Sequence, residues 1–205
     1  MSEPELPPAP HAAPPATSRR RVAPIVALTV AAVLAGLFWV LASSDSGTVD
    51  KAGVVASPQV GHVAPSVRGT TLAGAPFDLS RRKGSWVVLN FFWSQCNPCK
   101  AEHPQLVEFV AQQATFADGA ELYTIAQEGD STSDILDFFE QRGGDWPILQ
   151  DDNGSIFVSF GVSQMPETFI IDPSGVVRLR WAGEIDAITL SQLVQEQRLL
   201  YEAGQ

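Results

Sequence analysis

The residues best suited to chemistry in this 205-residue chain gather around Cys96-Asn97-Pro98-Cys99, which holds its only two cysteines. A pair at this spacing can close a small disulfide ring. It lies where the apolar run Trp86-Val87-Val88-Leu89-Asn90-Phe91-Phe92-Trp93 gives way to a charged segment with helical spacing. A thiol at the first turn of a helix faces unpaired backbone N–H groups and the positive end of the helix dipole, so Cys96 is favoured as thiolate. By position Cys96 is the attacking thiol and Cys99, one turn further in, the resolving one. Two other uses of the pair stand beside this one: a structural zinc half-site, which would need a second CxxC or a His pair that the sequence does not supply, or two inert buried thiols. A disulfide across so short a loop removes little entropy from the unfolded chain, so the pair reads as chemistry rather than as a staple.

Three polar neighbours follow on the expected helix. Glu102 lies three residues after Cys99 and shares its face. Partly desolvated beside two thiols, its carboxyl would have a raised pKa and could pass protons to or from Cys99; the alternative is an exposed helix carboxylate. Lys100 either assists by its charge or is a solvated helix residue. His103, four residues after Cys99, makes a Cys/His copper site geometrically possible, against a plain helix-surface histidine.

Positioning such a pair takes a folded domain, and 45% hydrophobic residues over this length allow one. The chain divides, on composition, into four parts. Residues 1–21 are rich in Pro and Ala, end in Arg19-Arg20-Arg21, and read as a disordered cytoplasmic tail. Residues 22–42 are uncharged and apolar for long enough to cross a membrane, so one transmembrane helix is expected there. The arginines put the N-terminus inside and everything after the span outside. A cleaved signal peptide competes, but its apolar core is usually shorter and Leu41-Ala42-Ser43-Ser44 is a weak cleavage site. Residues 43–60 read as a Ser/Gly/Val-rich linker and 61–205 as the folded domain that carries the cysteines. The net charge of −10 makes nucleic acid a poor partner and suits ordinary solubility.

Within the domain, Ser66–Leu72 and Ala75–Leu79 suggest a preliminary hairpin, and Trp86–Trp93 a central strand covered on both faces. A helix is expected from Pro98 to about Ala117, burying Leu106, Phe109, Val110 and Phe116, with Pro104 kinking it or breaking its ladder. A strand over Glu121–Ala126 and a helix over Ser131–Arg142 follow, ended by Gly143-Gly144. Trp146–Leu149 reads as a strand, Gly154–Phe160 as a short helix, Glu167–Ile171 as a strand. After a turn at Asp172-Pro173-Ser174-Gly175, Val176–Trp181 alternates so that Arg178 and Arg180 share a face, and a last helix runs from Ile185 towards Tyr201. Strands alternating with helices argue for an α/β layered domain.

The block Asn90-Phe91-Phe92-Trp93-Ser94-Gln95-Cys96-Asn97-Pro98-Cys99-Lys100-Ala101-Glu102-His103-Pro104 resembles the active-site block of membrane-anchored thioredoxin-like proteins of the TlpA/ResA/CcmG type. A second block, Gly161-Val162-Ser163-Gln164-Met165-Pro166-Glu167-Thr168-Phe169-Ile170-Ile171-Asp172, is similar to that family's cis-proline loop and following strand. The resemblance runs from about Val63 to the C-terminus. It implies a thioredoxin-like α/β fold: a central mixed sheet flanked by helices, an N-terminal hairpin and a central insertion, after one transmembrane helix.

The resemblance also implies a protein thiol-disulfide oxidoreductase of the cell membrane, catalytic domain outside, with no cofactor beyond a redox-active Cys96–Cys99 disulfide. Its expected role is to reduce protein disulfides in cytochrome c maturation, with apocytochrome c as a substrate and a membrane electron donor of the CcdA/DsbD type. An oxidant that installs disulfides, and a copper-binding chaperone, are the alternatives. The family carries a glutamate at the position of Glu102, and its cis proline, here Pro166, sets the preceding backbone beside the disulfide to pair with an extended substrate. Thioredoxins proper carry a buried aspartate where Asn90 stands, so proton handling falls to Glu102. The expected catalytic residues are therefore Cys96, Cys99, Glu102 and Pro166, and the substrate-binding ones Trp93, Gln95, Pro98, Met165 and Glu167. Glu167 either tunes the thiols, selects partners or serves surface solubility. Gln95 departs from the tryptophan usual before the first cysteine, which puts partner docking and redox potential in question.

Overall fold

The computed structural model describes residues 22–43 and 53–204. The expected tail and its arginines, and the middle of the expected linker, lie outside the described residues. The chain divides into two compact units after Asp45. The first contains helix α1, Val22–Ser43, without a charged residue in it. Its side chains are described only over residues 25–38, short of the roughly 20 residues a crossing needs. Among the described residues no helix is long and apolar enough to cross a membrane.

The second unit is built on a five-stranded sheet. Its strands are β3 (Val87–Phe92), β4 (Glu121–Ala126), β5 (Ile148–Gln150), β6 (Glu167–Ile171) and β7 (Val177–Ala182), in the order β5-β4-β3-β6-β7. A small antiparallel hairpin, β1 (Arg68–Thr70) with β2 (Pro76–Asp78), precedes it. β3 lies in the middle, parallel to β4 and antiparallel to β6, and all six of its residues are buried, as a run apolar but for Asn90 demands. The helices are α2 (Asn97–Gln113), α3 (Thr132–Arg142), α4 (Ser155–Phe160) and α5 (Ala187–Ala203).

Each face of β3 feeds its own core. Val88 and Phe92 pack with Leu106 and Phe109 of α2, Ile135 and Phe138 of α3, and Leu190 and Val194 of α5. Val87, Leu89 and Phe91 pack with Phe77 of the hairpin, Phe160 of α4 and Phe169 of β6. Phe91 is ringed by Phe157, Phe160 and Phe169 at 4.9, 5.3 and 5.5 Å between ring centroids. Burying side chains of this size contributes roughly 1.5–3 kcal/mol each. α3, β5 and α4 all fall between β4 and β6, and β5 forms the sheet edge parallel to β4.

Two expectations need correction. Residues 53–60 are part of the folded domain instead of linker. Ala182 N donates to Gly53 O and Val55 N to Arg180 O, so this segment covers the edge of β7, and Gly61 N continues the pattern on Val177 O. Gly53 has φ +84°, and a Cβ there would stand 2.4 Å from the Trp181 ring, so only glycine lets the backbone lie so close under the indole.

The helix after the cysteines ends at Gln113, because residues 114–120 turn the chain back to start β4 beside β3. Phe116 falls on that turn and is 60% exposed instead of buried. As expected, Pro104 breaks the ladder, its missing N–H leaving the Lys100 carbonyl without its helical donor, while α2 itself continues to Gln113.

Candidate active site

Cys96 is the N-cap of α2. Its φ of −71° and ψ of 118° are extended, and its Sγ accepts from Cys99 N at 3.1 Å. Cys96 and Cys99 are joined by a disulfide. Pro98 lies in the first turn, where a missing N–H costs no helical bond. The open Cys99 N–H of that turn therefore points at the Cys96 sulfur and, with the positive end of the helix dipole, stabilises negative charge there once the disulfide is reduced.

The second wall comes from the loop before β6. The Met165–Pro166 peptide bond is cis. Met165 O lies 3.7 Å from Cys96 Sγ, and Pro166 is buried behind it. Gly183 N donates to Pro166 O at 2.9 Å. Trp93, 39% exposed, Gln95 and Pro98 present open surface around the cysteines, and Met165 is half-buried. The structure thus gathers Trp93, Gln95, Cys96, Pro98, Cys99, Met165 and Pro166 at one end of the sheet. Glu167 is a different case: it is 0% exposed, and its carboxylate bonds to the loop 163–164 and to Arg180. It is neither surface residue nor substrate contact.

Glu102 is 2% exposed, which excludes the exposed-carboxylate alternative. Asn90 Nδ2 donates to its Oε2 at 2.8 Å and Ile185 N to its Oε1 at 3.3 Å. Burial pushes its pKa up from 4.5 to about 8, against the smaller opposing pull of the Asn90 and Ile185 bonds. β3 and β6 explain the Asn90 contact: Asn90 pairs with Thr168 in register, and its Nδ2 also reaches Thr168 Oγ1 at 3.3 Å. A carboxyl held between Asn90 of β3 and the Ile185 backbone, one turn after Cys99, can keep or release a proton near neutral pH.

His103 is the opposite of the expected surface histidine. It is 2% exposed, packed between Phe138, Phe139 and Trp146 at 4.8–5.3 Å, and its Nε2 lies 2.8 Å from Gly143 O. Desolvation holds its pKa below the ordinary value. Its ring holds α2 against the end of α3 and offers no open nitrogen at Nε2 to a metal. Among the described residues no group of three or more His, Cys, Asp and Glu is arranged to hold one.

One pair of residues near the site was not singled out from sequence. Ser94, two residues before Cys96, is buried on Asp130 in the loop after β4: Ser94 N donates to Oδ2 at 2.8 Å and Ser94 Oγ to Oδ1 at 2.6 Å. Asp130 N in turn caps Gln127 O, and Gln127 N returns to Phe92 O at the end of β3. The turn that delivers Cys96 is bolted to the neighbouring strand's loop. A serine and an aspartate 36 positions apart carry no local signal of this; only the parallel register of β3 and β4 brings them together.

A sequence model of the AhpC/TSA family matches residues 60–180. The chain belongs to the AhpC/TSA family. Among relatives of this redoxin, a thiol:disulfide interchange protein DsbE homolog from Paracoccus denitrificans is 34% identical over 80% of this chain and 88% of its own. A thiol-disulfide oxidoreductase ResA from Bacillus thuringiensis is 33% identical over 62% of this chain and 71% of its own. Among solved structures, a thiol:disulfide interchange protein of the thioredoxin family from Chlorobium tepidum superposes with a TM-score of 0.59 at 25% identity, covering 65% of this chain and 94% of that one. The redoxin described here has the thioredoxin-like α/β fold and is a thiol-disulfide oxidoreductase of the DsbE/ResA type.

Proposed function

We propose that this redoxin is a membrane-anchored, extracytoplasmic reductase of protein disulfides that serves cytochrome c maturation. The observation that carries the reading is the meeting of three groups at one end of the sheet: the helix-capping Cys96, the Met165 carbonyl facing it, and a buried Glu102 whose proton is exchangeable near neutrality. Relatives named as DsbE homolog and ResA support it. So does Pro166-Glu167-Thr168-Phe169, which is most like the cytochrome c maturation branch of the family.

In the forward reaction the Cys96 thiolate attacks one sulfur of a substrate disulfide. A Cys96–substrate disulfide forms and the first substrate thiolate leaves. Cys99 then passes its proton to the ionised form of Glu102, one helical turn further on, and attacks the Cys96 sulfur. The second substrate thiol departs and the Cys96–Cys99 disulfide closes, two electrons having passed to the substrate. Trp93, Gln95, Pro98 and Met165 are the surface against which the substrate docks, and Met165, the residue before the cis proline, offers the backbone for strand addition. Reduction of the enzyme then needs an outside donor, for which a membrane protein of the CcdA/DsbD type is the expectation.

The uncharged helix Val22–Ser43 after three arginines supports a single-pass anchor with the N-terminus cytoplasmic. We read α3, β5 and α4 as the central insertion of the TlpA type. The test is capture. Full-length protein carrying Cys99→Ala cannot resolve the mixed disulfide, so substrates should accumulate on Cys96 and be identified by mass spectrometry. Apocytochrome c among the adducts is the expected result. Adducts confined to other exported proteins would contradict the cytochrome role, and none at all would contradict the exchange.

A further inference from the structure

Glu167 follows Pro166 directly, and all of its hydrogen bonds point away from catalysis and into scaffolding. Its Oε1 accepts from Ser163 N at 3.1 Å, Gln164 N at 3.2 Å, Ser163 Oγ at 3.2 Å and Arg180 Nη2 at 2.8 Å. Its Oε2 accepts from Arg180 Nε at 2.9 Å. Arg180 Nη2 also donates to Gly161 O at 3.1 Å and Ser163 Oγ at 3.2 Å. The pair is therefore a two-pronged Arg–carboxylate fork, its carboxylate buried and its guanidinium half-buried, tied to both ends of the loop 161–164. Register explains how they meet: Glu167 pairs with Ala182 and Phe169 with Arg180, so Glu167 and Arg180 are diagonal neighbours across β6 and β7.

The loop they hold presents the Met165 carbonyl to Cys96. We infer that Glu167 and Arg180 are a positioning pair that fixes this wall of the groove for a substrate disulfide carried on an extended polypeptide. A polypeptide needs both walls, Cys96 to react with and the Met165 backbone to lie along. A small disulfide needs only the sulfur. Neither Glu167 nor Arg180 touches the reacting sulfurs, so the pair acts on docking and leaves the chemistry of Cys96 to α2. The substrate class rests on the reading of the protein as acting on protein disulfides; the clamp itself stands on the geometry.

Glu167→Gln keeps the shape and removes the charge, leaving an NH2 group set against donors. Arg180→Lys keeps the charge and loses the fork. With full-length protein and insulin as the protein disulfide, Glu167→Gln should raise KM at least tenfold while kcat changes less than threefold. The rate with the small disulfide 5,5′-dithiobis(2-nitrobenzoate) and the Cys96–Cys99 midpoint potential should stay near wild type, and Arg180→Lys should fall between. Ser163→Ala, a milder change for use if the charge variants do not fold, should raise KM about threefold. Unchanged KM in Glu167→Gln or Ser163→Ala would overturn the clamp, as would equal losses on insulin and the small disulfide. Each variant is scored against wild type in whichever direction wild type runs, so a wild type that only oxidises proteins would sink the reductase reading while the ratio still tests the clamp.

Discussion

Glu102→Gln turns the burial of this carboxyl into a measurable free energy. In the folded protein its pKa is raised from 4.5 to about 8. Between those values the folded state keeps a proton that the unfolded chain has released. Stability therefore falls as pH rises, at about 1.4 kcal/mol per pH unit, because the unfolded state binds fewer protons. The contribution is intact below pH 4.5, lost progressively above it and gone by about pH 8, for a total of up to about 5 kcal/mol. The glutamine cannot titrate. Its amide meets Asn90 Nδ2 or Ile185 N as donor against donor, and rotation of the Asn90 amide, which exchanges Nδ2 for Oδ1 opposite Thr168 Oγ1, relieves the first.

His103 works with the opposite sign. Its lowered pKa means that the unfolded state takes up a proton first as pH falls below the ordinary histidine range, so its contribution to stability is lost there. The difference between wild type and Glu102→Gln removes that background. The assay is denaturant unfolding of the oxidised proteins from pH 4 to 9, monitored through the buried tryptophans. Wild type should lose several kcal/mol relative to Glu102→Gln across the window. Parallel stability curves for the two proteins would refute the raised pKa and with it the proton-holding role.

Three further outcomes are expected. Asp130→Asn should leave one of the two Ser94 donors poorly satisfied, costing about 1–3 kcal/mol, and slow alkylation of reduced Cys96 by iodoacetamide; unchanged unfolding and alkylation would show that the Ser94 bolt is idle. Gly53→Ala should drive a methyl group into the Trp181 ring at a left-handed φ, costing about 1–3 kcal/mol and exposing the Val55 and Ala182 amides to hydrogen exchange; protection as in wild type would refute the strapping of β7 by residues 53–55. His103→Ala should empty a site among Phe138, Phe139 and Trp146 and cost about 2–5 kcal/mol by thermal unfolding. If instead the reduced wild type retains stoichiometric Cu(I) and the variant does not, His103 is a ligand and its packing role is wrong.

The elements that position the disulfide were legible because their signals are local. The run of apolar residues broken only by Asn90 gave β3, the alternation of Val177–Trp181 gave β7, and Gly143-Gly144 marked the end of α3. What escaped depends on contacts across the sheet. Arg178 and Arg180 could be placed on one face, but their acceptors Asp172 and Glu167 are set by the antiparallel register of β6 and β7. Residues 53–60 bind β7 through backbone groups, which leave no side-chain pattern, so a segment of linker-like composition proved to be folded. His103 misled for a related reason: a polar residue beside Glu102 on a charged helix reads as surface until the aromatic residues of α3 are known to cover it.

The central claim is that the Cys96–Cys99 pair gives electrons to protein disulfides, and its redox poise tests this most directly. The full-length protein can be equilibrated in graded dithiothreitol buffers and the fraction of Cys96–Cys99 disulfide read by thiol alkylation and mass. The account predicts a midpoint potential at or below about −250 mV, in the range of thioredoxin-like reductants. A midpoint near about −120 mV, where strong disulfide-forming oxidants lie, would contradict it.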